Sequence, residues 1–203
     1  MKTGRERVVK YAWILLAVNI LGIGIACFLK SGLGCDPIAL LSDGISSALS
    51  SSFGTACFIY NAVTIALAFL FAGKLLGTGT VVYGLLSGFL IDFYCMVFEK
   101  LSVSVSGIAG SLLFFCAGEI LMSTAFAMLM NLNLGMTALD ALLTQMADKT
   151  GTTYAVWKIV MDALFVLTGV LLGGTFGIGT VISVAVTGIL VSKIGRFVKS
   201  FAK

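Results

Sequence analysis

The 203-residue chain has no histidine, a single proline and little charge: 13 Lys and Arg with 9 Asp and Glu make up 11% of its residues. Charge this scarce excludes a soluble globular domain, which carries about a quarter charged residues. Without histidine, a transition-metal centre lacks its commonest ligand. The cysteines, Cys27, Cys35, Cys57, Cys95 and Cys116, form no Cys-x-x-Cys pair, so they read as small apolar packing residues rather than a metal or redox centre. No cofactor and no metal are expected. The run Gly77-Thr78-Gly79-Thr80 and its counterpart Gly177-Ile178-Gly179-Thr180 are too short, and lack the following lysine, to cradle a nucleotide phosphate. No nucleophile lies next to a recognisable base, which argues against an enzyme.

What is present is apolar: 59% of the residues are hydrophobic and the mean hydropathy is +1.11. This predicts an all-α integral membrane protein of one membrane domain spanning 1–203, with the lipid bilayer as its surroundings. The abundant glycine suits closely packed transmembrane helices, and the long unalternated apolar runs argue against a membrane β-barrel. The net charge of +4 does not point to nucleic acid, because the basic residues gather at the ends: Lys2, Arg5, Arg7 and Lys10, then Lys193, Arg196, Lys199 and Lys203. By the positive-inside rule both termini are expected in the cytoplasm of a bacterial-type inner membrane, which requires an even number of crossings. The first apolar run, Tyr11 to Leu29, is too long for a secretory signal and has no clear cleavage site, so it reads as a retained helix.

A crossing needs about 20 apolar residues. Six stretches qualify: about Val8 to Leu29, Phe53 to Ala72, Thr78 to Phe98, Gly107 to Met130, Thr153 to Leu172 and Gly179 to Val198. Two further segments, Pro37 to Leu49 and Ala138 to Asp148, are helical in pattern but only about 16 to 20 Å long at 1.5 Å per residue. They also carry Ser42, Asp43, Gln145 and Asp148, and are expected to lie in the interface or enter partway as re-entrant helices. Asp36 before Pro37, and Thr137 with Asp140 three residues on, are their expected helix caps.

The two short segments occupy matching places. Leu33-Gly34 reappears as Leu134-Gly135, and Ala26 and Leu41 as Ala127 and Leu142, all at a spacing of 101; Gly77-x-Gly79-Thr80-Val81 reappears as Gly177-x-Gly179-Thr180-Val181, and Gly88 as Gly188, at a spacing of 100. The chain therefore reads as two tandem repeats, about 8–101 and 107–201. If the short helices do not cross, each repeat has three crossings and the second is inverted, the plan of many secondary transporters. If they do cross, the repeats are parallel. Polarity and length favour inversion. Thr80 and Thr180 are expected to cap the helices after the Gly-Thr turns, and Gly84-x-x-x-Gly88 and Gly169-x-x-x-Gly173 to pack within the bundle or form a homodimer contact.

The Leu33-Gly34-x-Asp36-Pro37 motif, the Gly79-Thr80 turn followed by Gly88 and Asp92, and the second-repeat Gly177-x-Gly179-Thr180 with Gly188 resemble the YczE/YyaS/YitT-type group of bacterial integral membrane proteins. The likeness covers nearly the whole chain. It implies a small multi-spanning inner-membrane protein with no activity to carry over. The chain ends just after its last helix, like the short YczE branch and unlike the YitT branch with its soluble C-terminal domain.

Ionisable residues within crossings mark candidate sites. Glu119 lies about 18 Å into its helix, near the bilayer midplane, and must be protonated, paired or hydrated; its plainer role is a hydrogen bond to a neighbouring helix. Lys158 and Asp162 are one helical turn apart and can pair. Asp92 lies two thirds along its crossing, while its repeat mate is Ser192. Asn61 and Asp162 occupy matching places at a spacing of 101, and Asn19 is expected to bridge helices. The functional expectation is a secondary transporter or exporter of a small polar or ionisable solute, with Glu119, Asp92, Lys158, Asp162 and Asn61 as substrate- or ion-binding candidates. The alternatives are a substrate-capture subunit of a multi-component uptake system, or a non-transporting assembly protein that binds a partner through its helix faces.

Overall fold

The computed structural model describes residues 4–132 and 134–201, with side-chain detail over 8–132 and 134–197. Of the basic termini, Lys2 and Lys203 lie outside the described residues, as do the side chains of Arg5, Arg7 and Lys199. Eight α-helices follow in order: α1 Gly4–Ser31, α2 Pro37–Leu49, α3 Phe53–Ala72, α4 Thr78–Lys100, α5 Gly107–Asn131, α6 Ala138–Thr150, α7 Tyr154–Leu171 and α8 Ile178–Phe201. Six are long and apolar enough to cross a bilayer, and α2 and α6, at 13 residues each, are the short ones.

The helix ends follow local chemistry. Asp36 accepts from Ile38 N at 3.2 Å and Pro37 takes the first turn of α2, while Ser50 adopts the left-handed conformation that ends it. Thr137 Oγ1 accepts from Asp140 N at 3.2 Å and donates to the Asp140 carboxylate at 2.7 Å, so α6 starts on a reciprocal cap. Thr80 caps its helix from the first turn. Helix α4 begins at Thr78 on Gly77, so Thr80 sits in the first turn and reaches back, accepting from Gly77 N at 3.1 Å and donating to Met136 O at 2.6 Å. Thr180 holds the same register in α8, but its Oγ1 is buried with no hydrogen-bond partner among the described residues. Gly77, in extended backbone, holds the N-cap position of α4, and Thr80 three residues on supplies the capping side chain.

Helices α1 and α5 form the centre and run antiparallel: Lys10 donates to Leu132 O at 3.0 Å at one end, Gly24 packs on Gly118 and Met122 in the middle, and the Phe28 and Phe115 rings meet at 5.3 Å toward the other. Helix α4 runs alongside α1, with Tyr11 bonded to Thr78 and Asn19 to Tyr94 at 2.8 Å, the expected Asn19 bridge; α8 runs alongside α5, from Gly179 near Phe115 to Asn131 bonded to Gly195 O at 3.1 Å. The loops exchange bonds reciprocally: Gly179 N donates to Leu33 O at 2.8 Å, and Gly79 N to Leu134 O at 3.0 Å. A Cβ on Gly177 or Gly77 would lie 2.2 or 2.0 Å from those same carbonyl oxygens, which is why both turns need glycine. Helix α2 packs on α7 and α6 on α3. The end of α2, at Gly44 and Ser47, meets the end of α7 at Gly169 and Gly173, and Lys149 near the end of α6 lies 5.9 Å over Phe71 at the end of α3. The short helices thus run outward toward opposite ends of the bundle.

Large apolar side chains cover the outside, among them Phe69, Leu70, Phe89, Ile108 and Leu171. In water such a surface would be untenable; in acyl chains it costs nothing, and close packing of small residues takes over as the cohesive force. Buried Ala17, Ala56, Ala68 and Ala125 supply that packing. The glycine-rich faces expected to serve either the bundle or a homodimer turn inward. Gly84 and Gly88 pack on α3, and Gly169 on Leu40 of α2, so these faces are already occupied.

Candidate functional site

The helix pairs line a half-open central cavity of about 1780 Å³. Both short helices direct their first turns into it: Asp36 from α2, and Thr137 with Asp140 from α6. Helix α3 contributes Cys57, Tyr60, Asn61 and Thr64; α4 contributes Tyr83; α7 contributes Tyr154, Lys158 and Asp162; and α8 contributes Ser183, Thr187 and Arg196. An 18- to 25-residue crossing with i, i+3 and i+4 polar positions presents them as a stripe, and here the stripes of α3 and α7 both lie on the cavity lining.

The structure brings Lys158, Asp162 and Asn61 together on this lining, with Asp36 and Asp140 beside them. Lys158 Nζ is paired with the Asp162 carboxylate one turn on and lies within electrostatic reach of Asp36. Asn61 Nδ2 donates to Ser87 Oγ of α4 at 3.0 Å. Asp140 accepts from Thr137 Oγ1 at 2.7 Å and from Tyr154 OH at 2.6 Å. Tyr60 and Tyr83 both lie within electrostatic reach of Asp36 and Asp140, and the Tyr60 hydroxyl is buried without a hydrogen-bond partner among the described residues.

Glu119 stands one layer behind. It is 3% exposed and accepts from Ser183 Oγ and Thr187 Oγ1, each at 2.7 Å, so it ties α5 to α8 through hydroxyls that themselves line the cavity. Asp92 is placed apart from the cavity: it accepts from Ser52 Oγ at 2.6 Å and Gly54 N at 2.7 Å, holding the start of α3 against α4. At the matched position Ser192 has no carboxylate to offer, although Thr153 and Ala155 at the start of α7 carry the hydroxyl and backbone N–H that correspond to Asp92's donors.

The two halves close the cavity unequally. Helices α3 and α4 are in contact along their lengths: a Cβ on Gly88 would lie 2.4 Å from Gly54 O, and one on Gly84 would lie 2.5 Å from Ile65 Cδ1. Helices α7 and α8 do not pack this way, and a Cβ on Gly188 would meet open space. The reading from sequence found the ionisable residues but not Tyr60, Tyr83, Tyr154 or Thr64. Tyr60 and Thr64 stand three residues after Cys57 and Asn61, and Tyr154 four before Lys158, a spacing indistinguishable in the sequence from ordinary packing, and Tyr83 had no such partner.

Among the described residues no cluster of three or more acidic or cysteine ligands could hold a metal ion. The fold and cavity define a multi-pass helical membrane protein with a polar interior. The chain belongs to the family of unknown function DUF6198, whose model matches residues 8–196. It is 24% identical over 185 residues to the uncharacterized protein YyaS of Bacillus subtilis, covering 89% of this chain and 90% of that one. It is 22% identical over 187 residues to the uncharacterized membrane protein YczE of the same organism, covering 92% and 85%. An uncharacterized protein of Haemophilus influenzae is 27% identical over 169 residues, covering 83% and 75%. These relatives bear out the resemblance drawn from the Leu33-Gly34-x-Asp36-Pro37 and Gly-Thr motifs. No solved structure matches.

Proposed function

We propose that the protein is a secondary transporter of the cytoplasmic membrane, built from two inverted repeats, with the central cavity as its substrate site. The carrying observation is that equivalent helix pairs close this cavity unequally: α3 and α4 are shut and α7 and α8 are apart. Two repeats with nearly equal packing options supply a second state in which the halves exchange conformations, and the exchange carries the opening from one side of the bundle to the other. The antiparallel run of α1 against its mate α5, and the opposite directions in which α2 and α6 leave the cavity, support inversion. On this reading α2 and α6 are re-entrant, both termini are cytoplasmic, and the chain performs no catalytic step.

The first test is the orientation of the repeats. With all five cysteines replaced, Ser46→Cys and Gln145→Cys are expected to react with a membrane-impermeant maleimide from opposite faces of the membrane. Labelling of both from one face would overturn the inverted arrangement and the transport mechanism that depends on it.

A further inference from the structure

We infer that the cavity takes an amphiphilic organic cation, a positive head on an apolar body, which enters sideways from the bilayer between α7 and α8. This rests on reading the cavity as a substrate site. The charge balance of the lining comes first. It carries Asp36, Asp140 and Asp162. Lys158 is paired with Asp162, and Arg196, the other cation on the lining, is exposed near the end of α8 with its Nε donating to Ser192 O at 3.4 Å. Among the described residues, neither Asp36 nor Asp140 has a cation within ion-pair distance. Asp36 is 8% exposed with Lys158 within electrostatic reach, and three acids against two basic side chains on the lining leave one acid for a bound cation to balance.

The surrounding groups select the kind of cation. An inorganic ion asks for several converging oxygen or sulfur ligands, whereas Asp36 and Asp140 share a lining that carries the aromatic side chains Tyr60 and Tyr83, with Tyr60 edge-on to Phe165 at 5.8 Å. Aromatic faces beside an acid suit an organic ammonium or phosphonium, whose charge is spread and weakly hydrated. The volume agrees. At about 1780 Å³ the cavity exceeds the roughly 300–1,000 Å³ of ordinary small-molecule pockets, so a compact polar solute would leave it mostly empty.

The rim indicates the route. Where the cavity meets the α7–α8 opening, it is lined by Ile159, Leu167 and Val184, which are 70%, 58% and 52% exposed, and Gly188 leaves the gap clear. An apolar body can pass such a rim directly from acyl chains, with no desolvation cost at the entrance. On the opposite side the equivalent passage is closed by Gly54 against Gly88.

The test uses the full chain in phosphatidylcholine nanodiscs and equilibrium binding of radiolabelled tetraphenylphosphonium. Two comparison probes are tetraphenylborate, of the same shape and opposite charge, and tetramethylammonium, a head with no apolar body. Saturable tetraphenylphosphonium binding above empty nanodiscs is expected, at least tenfold tighter than either comparison probe. Asp36→Asn, which keeps a capping side chain, and Asp140→Asn are each expected to weaken it at least fivefold, in samples whose thermal melts show folded protein. Gly188→Trp, which fills the gap, is expected to slow association and dissociation at least tenfold.

Binding no greater than to empty nanodiscs, equal binding of tetraphenylborate, or unchanged rates in Gly188→Trp would overturn the inference. So would a Gly188→Trp protein whose mass falls from dimer to monomer, since a second copy would then occupy the gap. Equilibrium binding does not require alternation. Failure here with Ser46 and Gln145 labelled from opposite faces rejects only the ligand class, and success here with both labelled from one face rejects only the transport mechanism.

Discussion

Helices α3 and α4 form a closed wall and α7 and α8 an open one, although the chain writes both with nearly the same glycine and threonine spacing. The difference traces to a few positions. Gly54, Gly84 and Asp92 of the closed wall correspond to Ala155, Val184 and Ser192 of the open one. Each replacement adds a side chain where backbones would have to touch, or removes the carboxylate that anchors the helix start. A second cause lies behind the wall. On the open side Glu119 takes the Ser183 and Thr187 hydroxyls, drawing α8 onto α5, whereas its mate is Val18, which leaves Ser87, the mate of Thr187, to bond Asn61 of α3. The matched hydroxyls thus bond different neighbours in the two halves, those of α8 to α5 and that of α4 to α3.

The comparison breaks most visibly at the matched glycines. Gly88→Leu is expected to cost about 1–3 kcal/mol or more through overpacking, read as a fall in melting temperature in detergent, while Gly188→Leu should leave the melt within about 0.5 kcal/mol of wild type, as for a substitution into open space. An equal fall in both would mean that α7 and α8 are packed like their counterparts. Next is the anchor. Asp92→Ala removes the acceptor of Ser52 Oγ and Gly54 N and should cost about 1–2 kcal/mol, against almost nothing for Ser192→Ala by the same melt.

The turn threonines give a smaller contrast. Thr80→Ala loses the bonds with Met136 O and Gly77 N, about 1 kcal/mol; Thr180→Ala, whose hydroxyl has no partner, should be neutral or slightly stabilising. The smallest shift sharpens the cause rather than the stability. Glu119→Val, which copies Val18, releases Ser183 and Thr187 and should favour closure of α8 on α7 by up to about 1 kcal/mol, raising the cross-linking rate of an Ala155→Cys/Gly188→Cys pair up to about fivefold. An unchanged rate would show that Glu119 does not hold the wall open.

Much of this was legible in the sequence because it depends on local rules. The limits of the long helices follow hydropathy and the charges that end it, and α2 and α6 are announced by Asp36-Pro37 and by Thr137 with Asp140. The matched motifs Leu33-Gly34 and Leu134-Gly135 were readable because Gly34 and Gly135 hold positive φ, 91° and 108°, and leave room for the backbone nitrogens of Gly177 and Gly77. The site was less legible. Glu119, Asp92 and Lys158 all look alike as ionisable residues at membrane depth, yet one clamps two helices, one caps a third, and one pairs across a turn into the cavity. Tyr60 and Thr64 could not be told from packing residues, since a polar residue on a helix declares its face only once the neighbour is known.

Composition and spacing alone determined the solvent, the number of long helices and the two short ones, because burial in lipid, helix length and capping are decided within a segment or its immediate neighbours. Which stripes meet, which wall closes and which acid keeps a free face were decided by tertiary structure, because each depends on whether a side chain hundreds of atoms away along the chain fills, or leaves open, the space beside it.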